Sequence, residues 1–252
     1  MTNKKNAAAV MPQNYTFQEL KEFYMDARNA RTVTKYHISE RVEAREAECL
    51  KIWQESEESK QFPDAVQLIH HNPMYFMTRS NRIFSVYGKK VREKKFHKSG
   101  RNNRKLSIEI QIDSQRQGIF LHRLAAEYFP TSTCIVFQDL PVEVHHDRFY
   151  SDESNTCEQL TILDQKIHDV LHTQMERAAR LADGNTRLYC CRLTPYPEDH
   201  SVTIGALRPV DEKGLEPIGI ITDTKFCYCL IEVDPQEHKA IAGTVVPAPI
   251  KV

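Results

Sequence analysis

The stretch "VEVHHDRFYSDESNTCEQLTILDQKIHDVLH", residues 142–172, holds four of the chain's eleven histidines. His145 and His146 are adjacent, and His168 and His172 stand four apart. "VEVHH" alternates apolar and polar residues, as a strand half-covered by a core does, so its two histidines fall on opposite faces near the strand's end. A polar loop follows, then a second short strand in "QLTIL", then a helix beginning near Asp164 and closing near Gly184. Residues four apart on a helix share a face, so His168 and His172 do too. If the helix packs across the hairpin, its first turns lie over the histidine end of the first strand, and His145 and His168 can meet around one divalent ion. His146 then points to the other side of the strand, free to act as a base.

Charge is distributed to match. The formal net charge is zero, but residues 73–140 carry thirteen Lys/Arg against five Asp/Glu, and residues 141–184 carry four against nine. A basic block suits a polyanion, and an acidic block rich in histidine suits a metal ion. The densest positive run is Lys89, Lys90, Arg92, Lys94, Lys95, Lys98, Arg101, Arg104 and Lys105, interrupted by Glu93 alone among acidic residues. It reads as a loop or hairpin end with a glycine at each shoulder, and as a contact for nucleic-acid phosphates, which is sequence-independent and salt-sensitive. Tyr87 and Phe96, interleaved with these charges, could stack or wedge, but are expected rather to be packing residues.

Outside this core the chain divides into three expected regions. Residues 1–72, free of glycine and rich in Glu, Arg, Ala and Lys, predict a helical region whose longest helix spans roughly 37–60. Residues 73–184 combine a basic β-rich module with the strand–strand–helix unit. In the module, Leu106, Ile108, Ile110 and Ile112 alternate as in a half-buried strand, "DSQRQG" reads as a turn, and "HRLAAEYFP" as a helix stopped by Pro130. Residues 185–252 predict a β-rich region ending in an extended "VVPAPIKV". The fold class is therefore α+β.

No run reaches the roughly eighteen apolar residues of a membrane span, and the N-terminus shows no secretory signal. Seven cysteines form no spaced framework and no CxxC motif, which fits a reducing, cytoplasmic setting. Cys190–Cys191 and Cys227/Cys229 are expected to be small buried side chains.

The order of the histidines resembles the HNH endonuclease family, whose fold is a ββα-metal finger. The resemblance runs through the pair His145–His146, then Gln159–Leu160 where the family has Asn–Leu, then His168 and the final His-x-x-x-His ending at His172. Upstream, "MYFMTRSNRIFSVYGKKV", "LSIEIQID" and "HRLAAEYF" are similar to the β-rich module that precedes the finger in many phage and intron homing endonucleases. Together the two signals cover residues 74–175. The resemblance implies a metal-dependent DNA endonuclease. It makes His145 and His168 metal ligands, His172 a further ligand or phosphate contact, and His146 the general base. Gln159, or Asn155 standing in for it, would brace the loop. The implied cofactor is one divalent ion, Mg²⁺ or Mn²⁺, with Zn²⁺ the alternative, and the implied partner is DNA. A phage origin, and so a host cytoplasm, comes from the family alone. The competing expectation is a catalytically impaired HNH-like protein that binds DNA or a host factor, its flanking regions serving a protein partner.

Overall fold

A computed structural model describes residues 14–25, 40–99, 105–112, 115–131, 133–136, 141–148, 156–195, 202–210 and 227–247. Asn155, Arg101, Arg104 and the segment "IGIIT" lie outside these residues. Helix and sheet are mixed, as an α+β chain requires. The chain divides into two compact units. One comprises residues 16–130 with 155–157, the other residues 1–15, 131–154 and 158–252. The seams therefore differ from the expected boundaries at 72 and 184, because the N-terminal helices pack into the basic module and the C-terminal strands pack onto the histidine-bearing helix.

The first unit opens with α1 (Phe17–Met25), α2 (Glu40–Gln54) and α3 (Glu57–Gln61). The long helix expected over 37–60 is thus two. Ser56 breaks it by adopting an extended backbone and accepting the Ser59 N–H at its Oγ (3.1 Å), the N-cap geometry that starts a new helix. Next come β1 (Val66–Gln67), β2 (Tyr75–Met77), β3 (Ile83–Tyr87) and β4 (Lys90–Glu93), an antiparallel sheet in sequential order. Trp53 of α2 stacks on Phe76 (4.6 Å between ring centroids) and tilts against Phe84, which buries the helix against β2 and β3.

β5 (His97–Ser99), β6 (Lys105–Ile112) and β7 (Gln115–Phe120) form a second antiparallel sheet. Ile108, Ile110 and Ile112 point inward as their alternation predicts. The basic run is partly the expected hairpin end, with Lys89 and Lys90 at the β3–β4 turn, and partly strand, with Arg92, Lys98 and Lys105 on β4, β5 and β6. One expectation fails here. "QRQG" is strand rather than turn: β7 pairs residue by residue with β6, so Arg116 shares the outer face of Gln111 while Gln115 and Gln117 stand opposite Ile112 and Ile110. α4 (Leu121–Tyr128) follows β7 directly and buries Leu121, Leu124 and Ala125.

The second unit begins with β8 (Thr133–Ile135) and β9 (Val142–His146), and continues through a one-turn 3₁₀ helix at Cys157–Gln159 into β10 (Leu160–Asp164). β9 and β10 are antiparallel, with His145 opposite Thr161, and β8 adds to β10 in parallel. α5 (Gln165–Leu181) follows with Asp164 at its N-cap position, although the carboxylate does not cap the helix. Gly184, three residues past the helix, has φ +90, a conformation glycine adopts without penalty.

The final sheet pairs β12 (Val202–Ile204), β11 (Leu188–Pro195), β14 (Cys227–Asp234) and β15 (Lys239–Pro247) in that order, with β13 (Arg208–Pro209) also on β11. The first residues of the expected tail, "VVP", belong to β15. Ile167, Leu171, Met175 and Ala178 of α5 share one core with Cys191, Leu193, Cys229, Ile231 and Val245 of this sheet. All seven cysteines are buried and none is in a disulfide. No helix among the described residues is long and apolar enough to cross a membrane.

Candidate metal centre

Strand alternation and helix periodicity bring three histidines together. His145 is fully buried, while His146, the next residue on the strand, is half-buried on the other face of β9. The first turns of α5 set His168 and His172 against His145, with ring centroids 5.4 and 5.6 Å from it. The Nε2 atoms of His168 and His172 are 3.2 Å apart. One ligand atom from each of the three rings lies within 4.8 Å of the others, close enough for a single ion.

The hydrogen bonding of His145 decides which of its nitrogens keeps a lone pair for an ion. Its Nε2 donates to the carbonyl oxygen of Gly243 on β15 at 2.6 Å. A carbonyl only accepts, so the proton sits on Nε2 and the lone pair on Nδ1. Fixing a ligand ring through its second nitrogen is a common outer-shell device in metal sites. Burial lowers the pKa of His145 to about 3, against the smaller opposing effect of the Gly243 carbonyl, so the ring is neutral as a ligand must be. Asp169 places a carboxylate oxygen 3.8 Å from His168 Nδ1, on the side away from the His168–His172 Nε2 contact.

Gly243 holds the strand end from a second direction. Its N–H donates to the carbonyl of Asp147 at 3.1 Å, and Arg148 bridges to Ala242. Asp147 is fastened further by its own N–H to the Gln159 carbonyl (2.9 Å) and by Thr161 Oγ1 donating to its Oδ1 (2.8 Å). Burial raises its carboxyl pKa to about 6, which the Thr161 hydroxyl only partly offsets. The contact of Gln159 with Asp147 therefore runs through its main chain. Its side-chain Oε1 is buried and has no hydrogen-bond partner among the described residues.

Asp147, Thr161 and Gly243 escaped the sequence reading. The third residue of "HHD" was visible there, whereas nothing local marks Gly243. Among the described residues the donor set is three imidazoles with no carboxylate among them. Such a set suits Zn²⁺ and neighbouring transition ions better than Mg²⁺, which favours oxygen ligands.

The basic residues belong to the first unit. Lys89, Lys90, Arg92, Lys95, Lys98 and Lys105 are exposed, and Lys94 is half-buried. The acidic residue among them is already engaged: Arg82 grips Glu93 through Nε (2.7 Å) and Nη2 and holds its carboxyl below the usual range.

No protein-family model and no curated protein matches the chain. Among solved structures it is similar to one described as "DNA binding and cleavage by the HNH homing endonuclease I-HmuI", at 15% identity. The alignment covers 62% of this chain and 84% of that one, with a TM-score of 0.34. The geometry of the three histidines, rather than this likeness, bears on function.

Proposed function

We propose that the chain is a metal-dependent DNA endonuclease of the HNH kind, hydrolysing phosphodiester bonds. The observation that carries the reading is the convergence of His145, His168 and His172, with His146 next to the first of them. In this reading Nδ1 of His145 and the imidazoles of His168 and His172 hold one divalent ion. When bound, that ion supplies Lewis acidity at the scissile phosphate. Three protein ligands leave room for water and phosphate, as catalytic sites require and closed structural sites do not.

His146 is the general base. A neutral imidazole can accept a proton. It takes that proton from the attacking water as the new P–O bond forms and the bond to the leaving oxygen breaks. The main-chain link from Gln159 to Asp147 steadies the residue next to His146. Lys89, Lys90, Arg92, Lys94, Lys95, Lys98 and Lys105 bind phosphates without reading sequence, so affinity falls as salt rises.

A second reading is favoured by Gln159. Its buried side-chain oxygen lacks a partner and its bracing passes to the backbone, as in a protein that keeps metal and DNA but has lost cleavage. Supercoiled plasmid incubated with wild type and His146→Ala, with Zn²⁺, Mn²⁺, Mg²⁺ or chelator, separates the two. Metal-dependent nicking lost in the variant supports the nuclease. A plasmid shifted at low salt but never cut by either protein supports the binding protein.

A further inference from the structure

The β3–β4 hairpin has two unlike faces. Its register pairs Phe84 with Glu93, Ser85 with Arg92, Val86 with Val91, and Tyr87 with Lys90. Side chains directly opposite one another share a face, and alternate residues along a strand do too. Phe84, Val86 and Val91 therefore point together into the Trp53 core. Ser85, Tyr87, Lys90 and Arg92 point together the other way.

That outer face has the makings of a binding surface. Tyr87 is 77% exposed, the largest value among the exposed large hydrophobic residues that are described. It stands at the tip, where a two-residue turn with Gly88 at φ +60 closes the hairpin, and Lys89 beside it in the turn is exposed as well. Lys90 is its direct cross-strand neighbour. Arg92 lies two residues on, about 6.7 Å along the strand, a spacing suited to neighbouring phosphates of one nucleic-acid strand. Glu93, which could have neutralised them, is on the opposite face and bound to Arg82. A tyrosine kept in water costs hydrophobic free energy that a stacking partner would recover.

We infer that this face binds an unpaired stretch of nucleic acid, with Tyr87 stacking on a base and Lys90 and Arg92 on the flanking phosphates. Aromatic stacking flanked by cations is how single strands are held without sequence preference, and a base inside an intact duplex offers no free face to stack on. The proposal rests on DNA being the partner and is independent of cleavage. Tyr87 is 77% exposed and is not among the residues of the Trp53 core, so its substitution should leave the fold in place.

The test compares the affinity of wild type, Tyr87→Ala and Tyr87→Phe for a fluorescent duplex and for the same duplex with a central unpaired stretch, in chelator. Wild type should prefer the unpaired DNA, Tyr87→Ala should lose roughly tenfold of that preference, and Tyr87→Phe should retain it. Equal affinity of wild type for the two DNAs, or an unchanged preference in Tyr87→Ala, overturns the inference. Plasmid nicking measured on the same wild-type preparation keeps the two readings apart. A Tyr87-dependent preference without nicking supports this inference and counts against the nuclease, while nicking without the preference does the reverse. Binding to neither DNA overturns the inference as well.

Discussion

His145 Nε2 lies 2.6 Å from the main-chain carbonyl oxygen of Gly243, a residue 98 positions further along the chain. The contact makes the C-terminal sheet part of the histidine site. It also assigns a tautomer, with the proton on Nε2 and the lone pair on Nδ1. Nitrogen NMR of the metal-free protein should show His145 as the Nε2–H form, unchanged through neutral and mildly acidic pH because burial holds its pKa near 3. A resonance pattern of the Nδ1–H form would remove the assignment and with it the proposed ligand atom.

Gly243 is also constrained sterically. A Cβ placed there would sit 2.6 Å from Met175 Sδ, well inside van der Waals contact. Met175 is itself packed in the α5 core. Gly243→Ala should therefore destabilise the second unit by about 1–3 kcal/mol, the usual range for overpacking. Combined with Met175→Ala it should cost less than the sum of the two single changes, because the second opens the space the first needs. Additive losses in chemical denaturation would mean that the methyl group does not meet Met175.

Metal binding should be strongest for ions that favour imidazole. Zn²⁺ added at about a hundred times its dissociation constant should stabilise the protein by about 2.7 kcal/mol, and chelator should reverse the gain. His168→Ala or His172→Ala should abolish the shift, and Mg²⁺ should produce little of it. A Zn²⁺ shift that survives both substitutions would place the ion elsewhere.

The parts of this architecture that were legible in sequence are those written in local periods. "VEVHH" and the run from Gln165 to Ala179 carry strand and helix patterns strong enough to set His145, His168 and His172 on facing surfaces. The wall at Gly243 was not legible, because a backbone carbonyl contributed from 98 residues away leaves no mark in composition or spacing. The strands of the basic run were hidden for a different reason. In β4 the outward Lys90 and Arg92 flank a lone inward apolar residue, Val91, too little for an alternation to show. Tyr87 was misread with them: an aromatic residue among charges suggests packing until the register shows which way it points. The split at Ser56 had a local signal, a capping serine, overridden in the reading by the helix-forming residues on both sides.

The first unit should show an unusual balance of pH effects around His71. The Nδ1 of this buried histidine lies 2.9 Å from the hydroxyl of Tyr128 and 3.6 Å from a carboxylate oxygen of Glu127. Burial acts on both titrating groups in favour of their neutral forms. It lowers His71 from 6.5 to about 4 and raises Glu127 from 4.5 to about 7. A lowered histidine contributes stability that is present above pH 6.5 and lost as the pH falls to about 4. A raised carboxyl contributes stability that is present below pH 4.5 and lost as the pH rises to about 7. Each effect is on the order of 3 kcal/mol, and the two slopes oppose each other over the shared window. Wild type should therefore change little in stability between pH 4.5 and 6.5 on their account. Glu127→Gln exposes the histidine slope and should weaken on acidification, whereas His71→Asn exposes the carboxyl slope and should strengthen. Urea unfolding followed by Trp53, the chain's one tryptophan and a core residue of this unit, reports the result directly. Two variants whose midpoints track wild type across the window would show that the neutral pair does not govern the unit's response to pH.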